Sequence, residues 1–280
     1  MDVPLRVKGD ITVSHLYDTT ARFADPGSAL NRVVRLAGKN RRVLDVGCGP
    51  GTTASALVAN GCTVTAVDND PSALSLAARY ATTTCRVDLD REDWGGELAP
   101  NQRFDAIVLA DVLEHLRDPV RTLKTATQFL SEDGNVVISL PNAGHNAVLA
   151  LLWLGDFQYR DIGLLDRTHV RFFCAANIEP LLSSAGLTLQ HVEFVMTHPR
   201  DSEYAEEWYQ LPGRVRRALR SNRYGSVYQF VLAARRRSAA NAVLRLDDVA
   251  VPPLPDSPLI DLRRAVGRIA RRIGLLAERT

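Results

Sequence analysis

With 280 residues, 46% of them hydrophobic, the chain can bury one substantial core plus an appendage, and falls short of two full domains. A net charge of +2 and a pI near 8.4 give no electrostatic reason to expect a nucleic-acid partner, so a small molecule is the default ligand. Cys48, Cys62, Cys85 and Cys174 form no C-x-x-C pair, which argues against a zinc site and a disulfide framework.

The N-terminus carries no basic segment followed by an apolar run and a cleavage site, and the apolar stretch at 147–154 is too short to cross a bilayer. A cytoplasmic protein with no stable membrane insertion is expected. Residues 11–40 hold a helical pattern with Leu30, Val33, Val34 and Leu36 at its apolar positions, read as part of an N-terminal helical cap (1–40) over the ligand crevice.

From residue 41 onward, short runs of Val, Ile and Leu alternate with helical patterns. The spacing predicts strands at 42–46, 63–68, 85–89, 104–110, 136–140, 189–197 and 226–234, and helices starting near Gly51, Pro71, Pro119 and Asn177. Pro71 and Pro119 each follow an Asp, the pattern of a first-turn proline behind an acidic cap. Only a polar stretch, 198–223, separates the last two strands, so they read as a hairpin. The fold class is therefore α/β: a Rossmann-like, doubly wound, seven-stranded sheet, mostly parallel with one antiparallel strand and helices on both faces. The core domain spans 41–237, with a lid-like insertion at about 142–175. Beyond it, 238–280 reads as a proline-containing linker and an arginine-flanked amphipathic helix that offers a route to a homodimer.

The first strand runs into Asp45, Gly47, Cys48, Gly49 and Gly51, a glycine loop that opens the next helix. Glycines are needed where the backbone turns through positive φ or closes on a ligand, and the helix start offers free N–H groups. A dinucleotide fingerprint would place Gly or Ala where Thr52 stands. Asp68, at the end of the second strand, is spaced to hold a ribose.

The pattern D-x-G-x-G-x-G, with the segments that follow it in order, resembles the class I S-adenosylmethionine-dependent methyltransferases over about residues 41–236. Those segments are Val87-Asp88-Leu89, Phe104-Asp105-Ala106-Ile107-Val108, Ala110-Asp111-Val112-Leu113-Glu114-His115-Leu116 and Leu130-Ser131-Glu132-Asp133-Gly134. Where the family usually has Pro-Gly-Gly, Asp133 and Asn135 replace the Pro and the second Gly. The resemblance implies S-adenosylmethionine as cofactor and S-adenosylhomocysteine as product. Asp45, Gly47, Cys48, Gly49 and Gly51 would lie against its amino-acid and ribose part, Asp68 and Asn69 at the ribose, Asp88 and Leu89 at the adenine, and Ala110 and Asp111 beneath the reactive methyl.

Residues 165–173 resemble a substrate-side motif of bacterial O-methyltransferases acting on sugars, cell-surface glycans or natural products. It implies His169 as a general base, with Asp166 orienting the imidazole and Arg171 holding an anionic group. His115, after the fourth strand, is a second base candidate, and His15 a weaker position. Asn142, His145 and Tyr159 complete an acceptor side beside Trp153 and Phe157. Structural readings stay open: Asp166, His169 and Arg171 as a polar staple, His115 as a helix cap, and the insertion as ordinary packing. No metal is expected, since Asp111, Glu114 and Asn142 could meet only through several converging loops.

The expected activity is methyl transfer to a hydroxyl of a small molecule or glycan. N- or C-methylation, a nicotinamide oxidoreductase, and a non-catalytic cofactor-binding assembly protein remain alternatives.

Overall fold

The computed structural model of the chain describes residues 27–238 and 243–254. Among them, α1 (Ala29–Ala37) precedes β1 (Arg42–Val46), α2 (Thr52–Ala59), β2 (Thr63–Asp68), α3 (Pro71–Ala77), β3 (Thr83–Arg86) and β4 (Phe104–Ala110). There follow α4 (Pro119–Gln128), β5 (Leu130–Pro141), α5 (Asn146–Trp153), α6 (Ala175–Ser184), β6 (Leu187–Met196), α7 (Ala205–Gln210), α8 (Gly213–Leu219) and β7 (Val227–Arg236). The strands form one sheet in the order β3-β2-β1-β4-β5-β7-β6. β1 to β5 pair in parallel, and β7 runs antiparallel to both β5 and β6.

The strand interiors follow from burial on both faces. In β1, every residue after Arg42 is buried, and β4 is buried from Ala106 to Leu109. A strand covered by helices on both sides carries a continuous apolar run rather than an alternation. One face is filled by Leu44, Val46, Ile107, Leu109 and Ile138, the other by Val43, Val64, Ala106, Val108 and Val137.

Both proline-led helices start as expected. Asp70 accepts the Ser72 amide at 2.8 Å and Asp118 accepts the Arg121 amide at 3.0 Å, each meeting one of the donors that a helix start leaves unpaired.

Four departures stand out. β3 ends at Arg86 rather than continuing to Leu89: Val87 and Leu89 turn into the core, while Asp88 accepts the Asp90 amide and starts a turn. The apolar–polar alternation of 85–89 thus reports core burial past the strand end. The described part of the segment expected to cap the crevice, α1, instead lies on a face of the sheet. Its Val33 and Ala37 pack among Val43, Val108, Val137 and Val231, and Asn135 donates to the Leu36 carbonyl at 2.8 Å. The polar stretch between β6 and β7 carries two short helices, α7 and α8, anchored by Trp208, Leu211 and Val215 against Ala150 of α5. Finally, the beginning of the expected linker is docked. The Leu244 amide donates to the Leu189 carbonyl at 3.3 Å, and the Leu246 amide to Glu179 at 2.9 Å. The amphipathic C-terminal helix lies outside the described residues.

Candidate active site

Strand order reverses between β1 and β4, whose neighbours β2 and β5 lie on opposite sides, and the crevice at their carboxyl ends is where such sheets take ligands. The glycine loop closes its floor. Gly47 (φ 69°) and Gly51 (φ 88°) take left-handed conformations, and a Cβ on either would lie 2.8 Å from Val112 Cγ2 or 2.7 Å from Ala77 Cα. Gly49 differs: its φ is 51°, yet a Cβ there would meet nothing within 4 Å. Two glycines serve packing, and the middle one faces open space.

The acids around this loop divide their work. Asp68 Oδ2 accepts the Gly49 amide at 2.8 Å and Oδ1 accepts the Asp70 amide at 3.0 Å, so Asp68 holds the loop while its remaining lone pairs stay available. Asp45 is buried, and its Oδ2 finds no partner. Burial, reinforced by the nearby Asp68 charge, raises its pKa to about 7 despite the Ala54 amide. Thr52 Oγ1 is likewise buried without a partner. Orphaned acceptors beside an open glycine suit a ligand that brings an ammonium and hydroxyls, as S-adenosylmethionine does. The Cys48 thiol is pushed up by burial and by Asp45, so it stays protonated beside the loop. Asn69 is exposed, with its carbonyl accepting from Arg86 Nε at 3.2 Å. Asp88 is exposed, and buried Leu89 gives its carbonyl to Thr122 Oγ1 at 3.1 Å.

β4 ends at Ala110, and Asp111 follows with φ 54°, a conformation that costs a non-glycine residue free energy. Ser139 and Gln229 hold it there. Asp111 Oδ1 accepts from Ser139 Oγ at 2.6 Å and from Gln229 Nε2 at 3.0 Å, and the Asp111 amide donates to Ser139 Oγ at 2.9 Å.

Just beyond lies the short helical turn Leu113–His115. The 169–171 segment is zipped onto it, because the Glu114 carbonyl accepts the Val170 amide at 2.9 Å and the Arg171 amide at 3.0 Å. His115 and His169 thereby meet edge to face, ring centroids 4.8 Å apart. His169 Nδ1 lies 3.3 Å from the Leu164 carbonyl, so Asp166 does not orient it. Asp166 Oδ1 instead accepts from Thr168, amide at 2.8 Å and hydroxyl at 2.6 Å. Thr168 faces the other imidazole, with His115 Nδ1 3.1 Å from its hydroxyl and 3.3 Å from its carbonyl. Because the Thr168 proton is committed to Asp166, His115 Nδ1 is the donor, and in the neutral ring the lone pair is then on Nε2. Burial, then the neighbouring His115, lowers the His169 pKa and favours its neutral form.

The sequence offers Glu114 as a metal candidate only together with Asp111 and Asn142. The structure keeps it near Asp111 and brings it to the imidazoles: one possible ligand atom from each of Glu114, His115 and His169 lies within 4.8 Å of the other two. Glu114 Oε2 is buried without a partner, and burial, then Asp111, raises the carboxyl pKa well above the usual range. These are the described residues best placed to hold a metal ion.

Two expected acceptor-side residues are committed to the scaffold. Asn142 is buried, its amide donating to the Tyr224 and Val227 carbonyls at 3.0 and 2.8 Å and its oxygen taking the Gly144 amide at 2.9 Å. His145 caps α5: Nδ1 accepts the Ala147 amide at 3.2 Å and Nε2 lies 2.9 Å from the Thr197 carbonyl. Burial lowers its pKa to about 4. Arg171 folds back, donating from Nε to the Arg117 carbonyl at 3.1 Å. Tyr159 is exposed at one end of a ladder of rings. Tyr159 meets Phe157 at 5.4 Å, Phe157 meets Phe172 at 5.6 Å, and Phe172 meets His169 at 6.3 Å.

A family model described as a methyltransferase domain matches residues 19–192 of this sequence. The chain belongs to this family. It is a class I S-adenosylmethionine-dependent methyltransferase, and the glycine loop with Asp45 and Asp68 fits that cofactor. The match sets aside the nicotinamide reading. Among curated proteins, the methyltransferase is 27% identical over 167 residues to a ubiquinone biosynthesis O-methyltransferase of Coxiella burnetii (strain Dugway 5J108-111), covering 59% of this chain and 71% of that one. It is 29% identical over 195 residues to the protein of the same name from Xanthomonas axonopodis pv. citri (strain 306), covering 62% and 76%. Among solved structures, a SAM-dependent methyltransferase from Archaeoglobus fulgidus shares the fold with a TM-score of 0.54 at 16% identity, covering 80% of this chain and 99% of that one.

Proposed function

We propose that this methyltransferase transfers its methyl group to a hydroxyl oxygen of a small molecule with an apolar ring. The observation that carries this reading is the meeting of His115 and His169 after β4, each with Nδ1 held by a backbone or side-chain oxygen. A hydroxyl needs a proton acceptor to become a good nucleophile, whereas a neutral amine or a stabilised carbanion has less need of one at transfer. The O-methyltransferase names of the relatives support the same choice.

The ring ladder from Tyr159 to His169 suits a flat acceptor, whether a phenol or the apolar face of a sugar. Asp45, Gly49 and Asp68 hold the amino-acid and ribose parts of the cofactor, and Asp88 and Leu89 border the adenine. In this reading Asn142, His145 and Arg171 brace the acceptor wall, and the enzyme acts on soluble metabolites in the cytoplasm. Among the described residues no helix is long and apolar enough to cross a membrane.

The test is incubation of the full chain with methyl-labelled S-adenosylmethionine and separate panels of phenols, sugars and amines. Label recovered as a methyl ether supports the reading; phenol ethers or sugar ethers name the acceptor class. Label recovered only on nitrogen or carbon refutes it.

A further inference from the structure

The paired imidazoles carry a difficulty that proton abstraction alone leaves unexplained. His115 Nδ1 faces two oxygens of Thr168, and the Thr168 hydroxyl already donates to Asp166 at 2.6 Å, so Nδ1 is the N–H end and Nε2 the lone pair. His169 Nδ1 faces the Leu164 carbonyl at 3.3 Å, which again leaves the lone pair on Nε2. Glu114 is 1% exposed, and its Oε2 has no hydrogen-bond partner. One possible ligand atom from each of Glu114, His115 and His169 lies within 4.8 Å of the other two. Burying Glu114 Oε2 without a partner is costly, and a positive centre beside it removes the cost.

We propose that Glu114, His115 and His169 form a divalent-cation site of the zinc class, open toward the acceptor hydroxyl. This deepens the O-methyl reading by moving activation of the hydroxyl from an imidazole to a cation, and rests on it only for the identity of the fourth ligand. Two imidazoles and one carboxylate are the donor set that zinc-class ions take with positions left free for water or substrate. Each imidazole has the support such ligands need, since the opposite nitrogen is fixed: His169 by a carbonyl, His115 by the Asp166–Thr168 pair. Backbone bonds from Val170 and Arg171 to the Glu114 carbonyl tie the two ligand-bearing segments together. A tetrahedral shell needs donors about 3.4 Å apart, a side-chain rotation from the present spacing.

The chemistry then balances without an imidazole taking the proton. The acceptor hydroxyl oxygen binds the cation and releases its proton to water. An oxygen lone pair forms the bond to the methyl carbon, and the sulfur–methyl bonding pair returns to sulfur. The products are the methyl ether and S-adenosylhomocysteine.

The test uses the full chain, stripped with a chelator and titrated with Zn2+ by calorimetry and with Co2+ by visible absorption. One cation per chain is expected, with a Co2+ ligand-field band of the intensity typical of low coordination number. His169→Ala should weaken binding by about 100-fold and Thr168→Val, at an exposed position, by about 10-fold. S-adenosylhomocysteine affinity should not change in either. If His169→Ala fails to fold, Thr168→Val and the Co2+ spectrum decide alone. Absence of the band, or binding indifferent to both substitutions, overturns the proposal. Undiminished O-methyl transfer by the stripped chain would do the same while leaving the proposed function intact. Cation binding without transfer to any hydroxyl would instead sink the function and keep the site.

Discussion

The two walls of the crevice are built by different physics. On the donor wall, the loop from Asp45 to Gly51 works through backbone: left-handed glycines, an amide fixed by Asp68, and a middle glycine facing open space. On the proposed acceptor wall, His115 and His169 come from segments 54 residues apart and are held by side-chain and carbonyl partners. Backbone architecture of the first kind is indifferent to what is methylated. The side chains of the second kind can be changed without disturbing the first, which is how one cofactor fold serves many acceptors.

That division can be broken by substitution. His115→Ala should lower turnover by about 10²–10⁴-fold, the usual range for loss of an activating group, while S-adenosylhomocysteine binding by calorimetry stays unchanged. A parallel loss of cofactor affinity would mean the walls are not separable. Gly51→Ala attacks the other wall. Positive φ and a Cβ 2.7 Å from Ala77 Cα should cost about 3 kcal/mol of stability in chemical denaturation, together with cofactor affinity. Unchanged stability would show that the turn is looser than its packing implies.

Asp45→Asn keeps the shape and removes the buried charge. Cofactor affinity should fall by about 10-fold, and its rise with pH near 7, the pKa of the free carboxyl, should disappear. An unaltered affinity would remove Asp45 from the cofactor's partners. The smallest effect concerns the brace. His145 has a folded pKa of about 4, below its ordinary 6.5, so the folded state favours the neutral ring. Its contribution is present above pH 6.5 and is lost as pH falls toward 4. Between pH 7 and pH 5 the native chain should lose about 2 kcal/mol more stability than His145→Asn. Taking the difference cancels the opposite contribution of Asp45, whose raised pKa makes its burial easier as pH falls.

The same division explains what could be read in advance. The donor wall is contiguous, and its residue types are dictated locally: Gly47 and Gly51 by φ and steric closeness, Asp68 by the end of a strand. The order of apolar runs likewise announces the sheet, because strands buried on both faces have little other composition available. The acceptor wall is not local. Nothing in the sequence near Asp166 says that, through Thr168, it reaches His115 rather than the nearby His169. Nothing local to Glu114 announces that its side chain is buried or that the Val170 and Arg171 amides bond its carbonyl. His145 and Asn142 look available because they follow a strand at the crevice, but their rings and amides are used up by backbone groups of the β6–β7 hairpin, more than fifty residues away. Two signals were legible in principle: the spacing of Asp166 and Thr168 in a side-chain turn, and the Glu114-His115 pair directly after a strand.

The most direct measurement is a crystal structure of the full chain with S-adenosylhomocysteine. The two-wall arrangement predicts the ribose at Asp68, the amino-acid end over Gly49 near Asp45, and the sulfur turned toward the space in front of His115 and His169. A sulfur directed away from that pair, or a cofactor bound elsewhere with the Gly49 surface bare, would contradict it.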